Sequence, residues 1–121
     1  MVNDYRELDV WQMSMSLCEK VYALIRSFPA EERFALCDQL RRAVVSIPSN
    51  IAEGAERQSV KEFCQFLYIA KGSSAELRTQ LYIAARIGVI SNEKCTEFTS
   101  RCKSIAGQIQ KLISSLEASR G

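Results

Sequence analysis

The sequence predicts an all-α domain, an up-and-down antiparallel four-helix bundle with a kinked second helix. Three observations predict it. The 121 residues include only five glycines and two prolines, so long stretches hold nothing that breaks a helix. Apolar residues recur at spacings of three and four through four successive segments, one face of a helix each time. The polar connections between those segments are short, which forces consecutive helices to run antiparallel.

The first helix is expected over residues 9–27. Asp9 is placed as its N-cap with Gln12 three residues on, and Leu8 and Met13 can pack across the start. Its core stripe is Val10, Met13, Leu17, Val21, Leu24 and Phe28. The second helix is expected over 31–54, opening after Pro29 with Glu31 and Glu32 where the dipole favours anions. Cys37, Leu40, Val44, Ile47 and Ile51 form its stripe, and Gly54 marks its end. Pro48 falls inside this helix and removes the bond to the carbonyl of Val44. Because the stripe continues in register, a kinked but unbroken helix is expected, with Ser46, Ser49 and Asn50 at hand for the freed carbonyl.

The third helix is expected over 60–87. Ser59-Val60-Lys61-Glu62 reads as a capping box, and Gly88 supplies a left-handed residue at the end. Its stripe runs Val60, Phe63, Leu67, Ala70, Ser74, Leu77, Leu81 and Ala84. Mid-helix, Gly72-Ser73-Ser74-Ala75 is expected to admit a neighbouring backbone. The fourth helix, over 92–117, is capped by Ser91 and carries Cys95, Phe98, Cys102, Ile105, Ile109, Leu112 and Leu116.

Composition excludes several classes of function. The chain has five cysteines and no histidine, which removes imidazole metal ligands and histidine-activated nucleophiles. The cysteines fall mostly at core positions, where a thiol packs as a small apolar group. Glu53, Glu56, Glu62 and Glu76 lack further ligand types in register and read as solvated helix faces. No catalytic group, metal or cofactor is therefore expected. No apolar run approaches the roughly 20 residues that span a bilayer, and the start from Met1 lacks a secretory pattern. A cytoplasmic location is the default expectation.

Two features exceed what a simple bundle needs. Beside its core stripe the first helix carries Trp11, Met15, Cys18, Tyr22 and Ile25, and the third carries Phe66, Ile69, Tyr82, Ile83 and Ile87. A long second apolar band marks an interface, so self-association is expected, with Trp11, Met15, Tyr22, Phe66 and Tyr82 as candidate contacts. The basic residues Arg41 and Arg42, with Arg101, Lys103 and Lys111 on the fourth helix, read two ways. They are either ordinary solvated surface or a phosphate-contacting strip that repetition in an oligomer would multiply.

Several segments carry a family resemblance. They include Asp9-Val10-Trp11-Gln12, Gln39-Leu40-Arg41-Arg42-Ala43 and Val45-Ser46-Ile47-Pro48-Ser49-Asn50-Ile51-Ala52-Glu53-Gly54, continued by Ile69-Ala70-Lys71-Gly72-Ser73. On these the chain resembles the four-helix-bundle proteins named after open reading frames in intervening sequences of 23S rRNA genes. That resemblance implies a ring-shaped homopentamer. More distantly the chain is similar to accessory proteins of diversity-generating retroelements, which implies RNA or a nucleic-acid-handling protein as partner. Those accessory proteins are strongly basic, whereas this chain has a net charge of +2. The leading expectation is a non-enzymatic oligomeric binding protein for RNA or a ribonucleoprotein; the alternative is a structural oligomer without a nucleic-acid role.

Overall fold

Four helices make up most of residues 4–120, the part of the chain that the computed structural model describes. They are α1 (Asp9–Ile25), α2 (Leu36–Ala55), α3 (Val60–Arg86) and α4 (Asn92–Arg120), with single 3-10 turns at Tyr5–Glu7 and Ala30–Glu32. No strand occurs among the described residues. Met1, Val2 and Asn3, part of the start read above for a leader, lie outside them.

The two long helices begin where the sequence places them; α3 ends within one residue of expectation, and α4 runs on to Arg120, past the expected 117. The Ser59 Oγ accepts from the amide of Glu62 at 3.1 Å, so the cap forms, and it donates to that residue's carboxylate at 3.1 Å, which thus meets the Ser59 hydroxyl and not its amide. Gly88 adopts φ 82°, and the amides of Val89 and Ile90 return to the carbonyl of Ala84. The Ser91 hydroxyl accepts from the amide of Lys94 at 3.0 Å.

The first two helices begin differently. Asp9 is the first residue of α1 and caps nothing; Asp4, five residues earlier, accepts from the amide of Arg6 and caps the 3-10 turn instead. Gln12 reaches back to the carbonyl of Arg6 at 2.9 Å. After Pro29, Glu31 and Glu32 close one 3-10 turn, and α2 starts only at Leu36. The driving force there is burial. Leu36 and Cys37 are both in the core, and burying a leucine contributes about 1.5–3 kcal/mol against about 0.3–1 kcal/mol for a charge at a helix end.

Consecutive helices pack side by side, and α4 closes the square loosely against α1, so α1 and α3 stand at opposite corners, as do α2 and α4. Leu17, Val21, Leu40, Val44, Ile47, Ile51, Phe63, Leu67, Leu77, Leu81, Ile109 and Ile113 fill the centre. Ile113 takes the place expected for Leu112, because a straight helix drifts about 20° per heptad against a 3.5-residue repeat. In α1 the fully buried residue beside Met13 is Ser14, whose hydroxyl donates to the carbonyl of Trp11 at 2.9 Å.

Pro48 is accommodated within an unbroken α2. The carbonyl it frees, that of Val44, is taken by the Cys18 thiol of α1 at 3.3 Å. Ser46 and Asn50 are engaged elsewhere: Asn50 Nδ2 donates to the Ser46 carbonyl and hydroxyl, and the Ser46 hydroxyl meets that of Ser73 at 2.8 Å. Burial pushes the Cys18 thiol up to about 11, and that of Cys102 likewise. Both thiols thus contribute stability that is complete below their ordinary titration range and lost as pH rises towards 11. Cys18→Ala leaves the Val44 carbonyl unpaired in the α1–α2 seam. It is expected to lower unfolding stability by about 1–3 kcal/mol in a urea titration; an unchanged midpoint would show that the thiol contact contributes nothing.

The α4 backbone does approach the Gly72–Ala75 stretch, at Ser74, whose hydroxyl donates to the Cys102 carbonyl at 2.8 Å, but the glycine that a close approach requires is Gly54. A methyl group on Gly54 would sit 2.7 Å from the Phe66 Cβ and 3.2 Å from the Phe63 carbonyl oxygen, whereas nothing lies within 4 Å of one on Gly72. Gly54 does not end its helix; α2 continues through Ala55.

Candidate interaction surfaces

The α1–α2 corner presents the first surface. Ile25 of the second stripe turns into the core, but Met15 and Tyr22 are exposed and Trp11 and Cys18 half-buried. They line an open groove of 410 Å³ whose other wall is Val45, Pro48, Ser49 and Ala52 of α2. Tyr5 closes its end, its ring edge-on to Trp11 with centroids 5.6 Å apart. Pro48 therefore has two faces: inside, it gives Cys18 an acceptor; outside, it forms part of the groove.

The second surface is the outer side of α3. Tyr68, Ile69, Tyr82, Ile83 and Ile87 are between 42% and 54% exposed, an unusual load for a solvent face. Tyr68 and Ile69 precede Tyr82 and Ile83 by two heptads, so the pairs share a face about 21 Å long. At its far end Tyr82, Ile83, Ala85 and Arg86 border a 540 Å³ groove against Asn92, Cys95 and Thr96 of α4. Phe66, expected among these contacts, is not part of this surface. It is half-buried beside Gly54, with the Arg57 guanidinium 4.7 Å above its ring.

The five basic candidates do not form one strip on the subunit. Arg41 and Arg42 belong to α2 and the other three to α4, at opposite corners of the bundle. Arg42 pairs with Asp38 at 3.2 Å, and Arg101 with Glu97 at 3.8 Å, an acid that Lys94 shares. Arg101 also borders a groove between α1 and α4, beside Gln12 and Ser16. Lys103 and Lys111 are exposed and make no ion pair among the described residues. Arg41 instead lines a recess with Arg26 and Arg33, two residues that helix-by-helix reading passes over. Phe34, 89% exposed in the α1–α2 connection, is likewise outside every stripe.

Among the described residues no group of three or more cysteine, aspartate or glutamate side chains is placed to hold a metal. No helix there is long and apolar enough to cross a membrane.

A family model of 23S rRNA-intervening sequence proteins matches residues 6–111, which include both apolar surfaces and the Pro48 segment. The chain belongs to this family. Among solved structures, the chain is similar to a protein of unknown function from the S23 ribosomal protein family of Bacteroides thetaiotaomicron VPI-5482. The two superpose with a TM-score of 0.81 at 24% identity, over 87% of this chain and 95% of the other. At that identity the likeness concerns the fold. No curated protein matches the sequence.

Proposed function

We propose that this family member is a non-enzymatic subunit of a ring-shaped homo-oligomer, cytoplasmic, that holds RNA or a ribonucleoprotein partner. The observation that carries the oligomer is the pair of exposed apolar surfaces, the groove between α1 and α2 and the outer side of α3. A surface that met its own copy would need only one patch. Two different patches on one subunit suit a head-to-tail contact, and such contacts close into rings when the rotation permits. Five subunits is the ring size that the family resemblance implies. A non-enzymatic role is supported by the lack of histidine and by thiols held protonated through burial.

The nucleic-acid part of the proposal draws on Arg41, Lys103 and Lys111, whose charges no carboxylate engages in an ion pair among the described residues. Repetition around a ring turns a few such charges into an extended positive field. Arg42 and Arg101, tied to Asp38 and Glu97, favour the rival reading, an oligomer with structural duties alone. Fluorescence anisotropy with a structured RNA separates the two. Binding at about 50 mM salt that weakens at least tenfold by about 200 mM is expected. Absence of binding at the lower salt, or an affinity indifferent to salt, would leave only the structural oligomer.

A further inference from the structure

The recess between the end of α1 and the start of α2 has a composition that the bundle does not need. Its walls are Arg26, at the C-terminus of α1, Arg33, in the connection, and Arg41, one turn into α2. Ile25, Phe28, Pro29 and Cys37 supply its apolar floor, and it encloses 290 Å³. None of the three guanidinium groups makes a side-chain hydrogen bond or an ion pair among the described residues. Of the other described arginines, Arg6, Arg42, Arg57 and Arg101 each hold a carboxylate and Arg78 and Arg86 hold none.

Three like charges around one concavity repel one another, and that arrangement is unfavourable unless something neutralises it. The helix ends do not. The negative end of α1 and the positive end of α2 both border the recess, so their dipoles oppose each other. Glu32 is the one acid whose field reaches Cys37 on the floor, together with those of Arg41 and Arg33. No carboxylate is among the residues that line the recess, so its three guanidiniums leave it positively charged. Guanidinium is the side chain best matched to the planar faces of an oxyanion, and a phosphomonoester carries close to two negative charges.

We propose that the Arg26–Arg33–Arg41 recess binds a phosphomonoester group, with the three guanidiniums as its donors. The volume suits a phosphate with part of its substituent rather than a large organic ligand. Phe34 follows Arg33 in the chain and is 89% exposed, an uncovered aromatic ring one residue from a phosphate donor, of the kind on which a nucleotide base stacks. The bearer of the phosphate is thus a free phosphate compound or the 5′ end of a nucleic-acid strand. The site does not depend on the ring or on RNA binding by the other basic residues.

Calorimetric titration of the whole protein with inorganic phosphate at low ionic strength tests it directly. Saturable binding is expected, weakened at least about tenfold in Arg33→Gln and in Arg41→Gln and abolished in the double variant. Lys61→Gln, at the opposite end of the bundle, removes the same charge and is expected to leave binding unchanged. Circular dichroism confirms that each variant keeps its helices. No saturable binding to the folded wild-type protein, or equal weakening by Lys61→Gln, would overturn the site. Two oligoribonucleotides of one sequence, with 5′-phosphate and 5′-hydroxyl ends, then identify the bearer. Preference for the phosphorylated end that Arg41→Gln removes assigns the recess to strand ends, and phosphate binding without that preference assigns it to small phosphate compounds. General RNA affinity can fail in this assay while the recess still takes inorganic phosphate, so the two proposals fall separately.

Discussion

Tyr22→Glu is expected to reduce the proposed oligomer to single chains while leaving the helices intact. Tyr22 is 39% exposed on the outer face of α1, where it borders the groove shared with α2. Glutamate is a better helix former than tyrosine, and at that position in the lone subunit its carboxylate reaches water. Covered by a neighbouring subunit, the same carboxylate is stripped of water with no cation beside it among the residues lining the groove, a penalty of several kcal/mol. A closed ring repeats that penalty at every contact. Light scattering should therefore report the mass of one chain, 13.6 kDa, with the helical circular dichroism of the wild-type protein. A variant that remained fully assembled would remove the α1–α2 groove from the interface.

The second large effect concerns the join of α2 and α3. Alanine normally stabilises a helix over glycine by about 0.8–1 kcal/mol. At Gly54 the added methyl meets the Phe66 Cβ at 2.7 Å and the Phe63 Cδ1 at 3.0 Å. Neither can step aside, because one is anchored to the α3 backbone and the other belongs to a ring that is fully buried. The two helices must separate, and overpacking of this kind costs about 1–3 kcal/mol. Gly54→Ala is thus expected to destabilise by about 2 kcal/mol, and Gly72→Ala, with open space around it, to stabilise by about 1 kcal/mol. Urea unfolding of the two variants measures a difference in which chemistry is constant and only the neighbours change. Equal shifts would show that α2 and α3 are not in close contact at Gly54.

The sequence exposed the long helices more fully than the short ones. Ser59, Gly88 and Ser91 do their work within three or four residues of themselves, so reading along the chain finds them. The start of α2 depends on Leu36 and Cys37 finding the core, a tertiary effect that no cap announces; Glu31 and Glu32 announced a helix and received a 3-10 turn. The same division holds for the surfaces. Met15, Tyr22 and Tyr82 could be found because each breaks the pattern of its own helix. Phe66 breaks it too, yet the gap left by Gly54 on a different helix draws it inward.

The Arg26–Arg33–Arg41 recess was hidden for a further reason. Its members come from a helix end, a connection and a helix start, and only the α1–α2 turn brings them together. One local signal was present in Phe34, an aromatic in a polar connection with no stripe to join. Pro48 shows the opposite case. Its position predicted an orphan carbonyl correctly, but the partner, Cys18, lies 26 residues away from Val44 and on another helix.

Head-to-tail assembly through two different faces is the claim on which the functional account rests, and mixing two interface variants tests it most directly. Tyr22→Glu disables the α1–α2 face and keeps that of α3; Ile83→Glu does the reverse. Each alone should scatter light as a monomer of 13.6 kDa. In an equimolar mixture each supplies the face the other lacks, so the account predicts a defined dimer of twice that mass and nothing larger. If either variant dimerises by itself, or the mixture stays monomeric, the contact is not between these two faces and the ring is wrong.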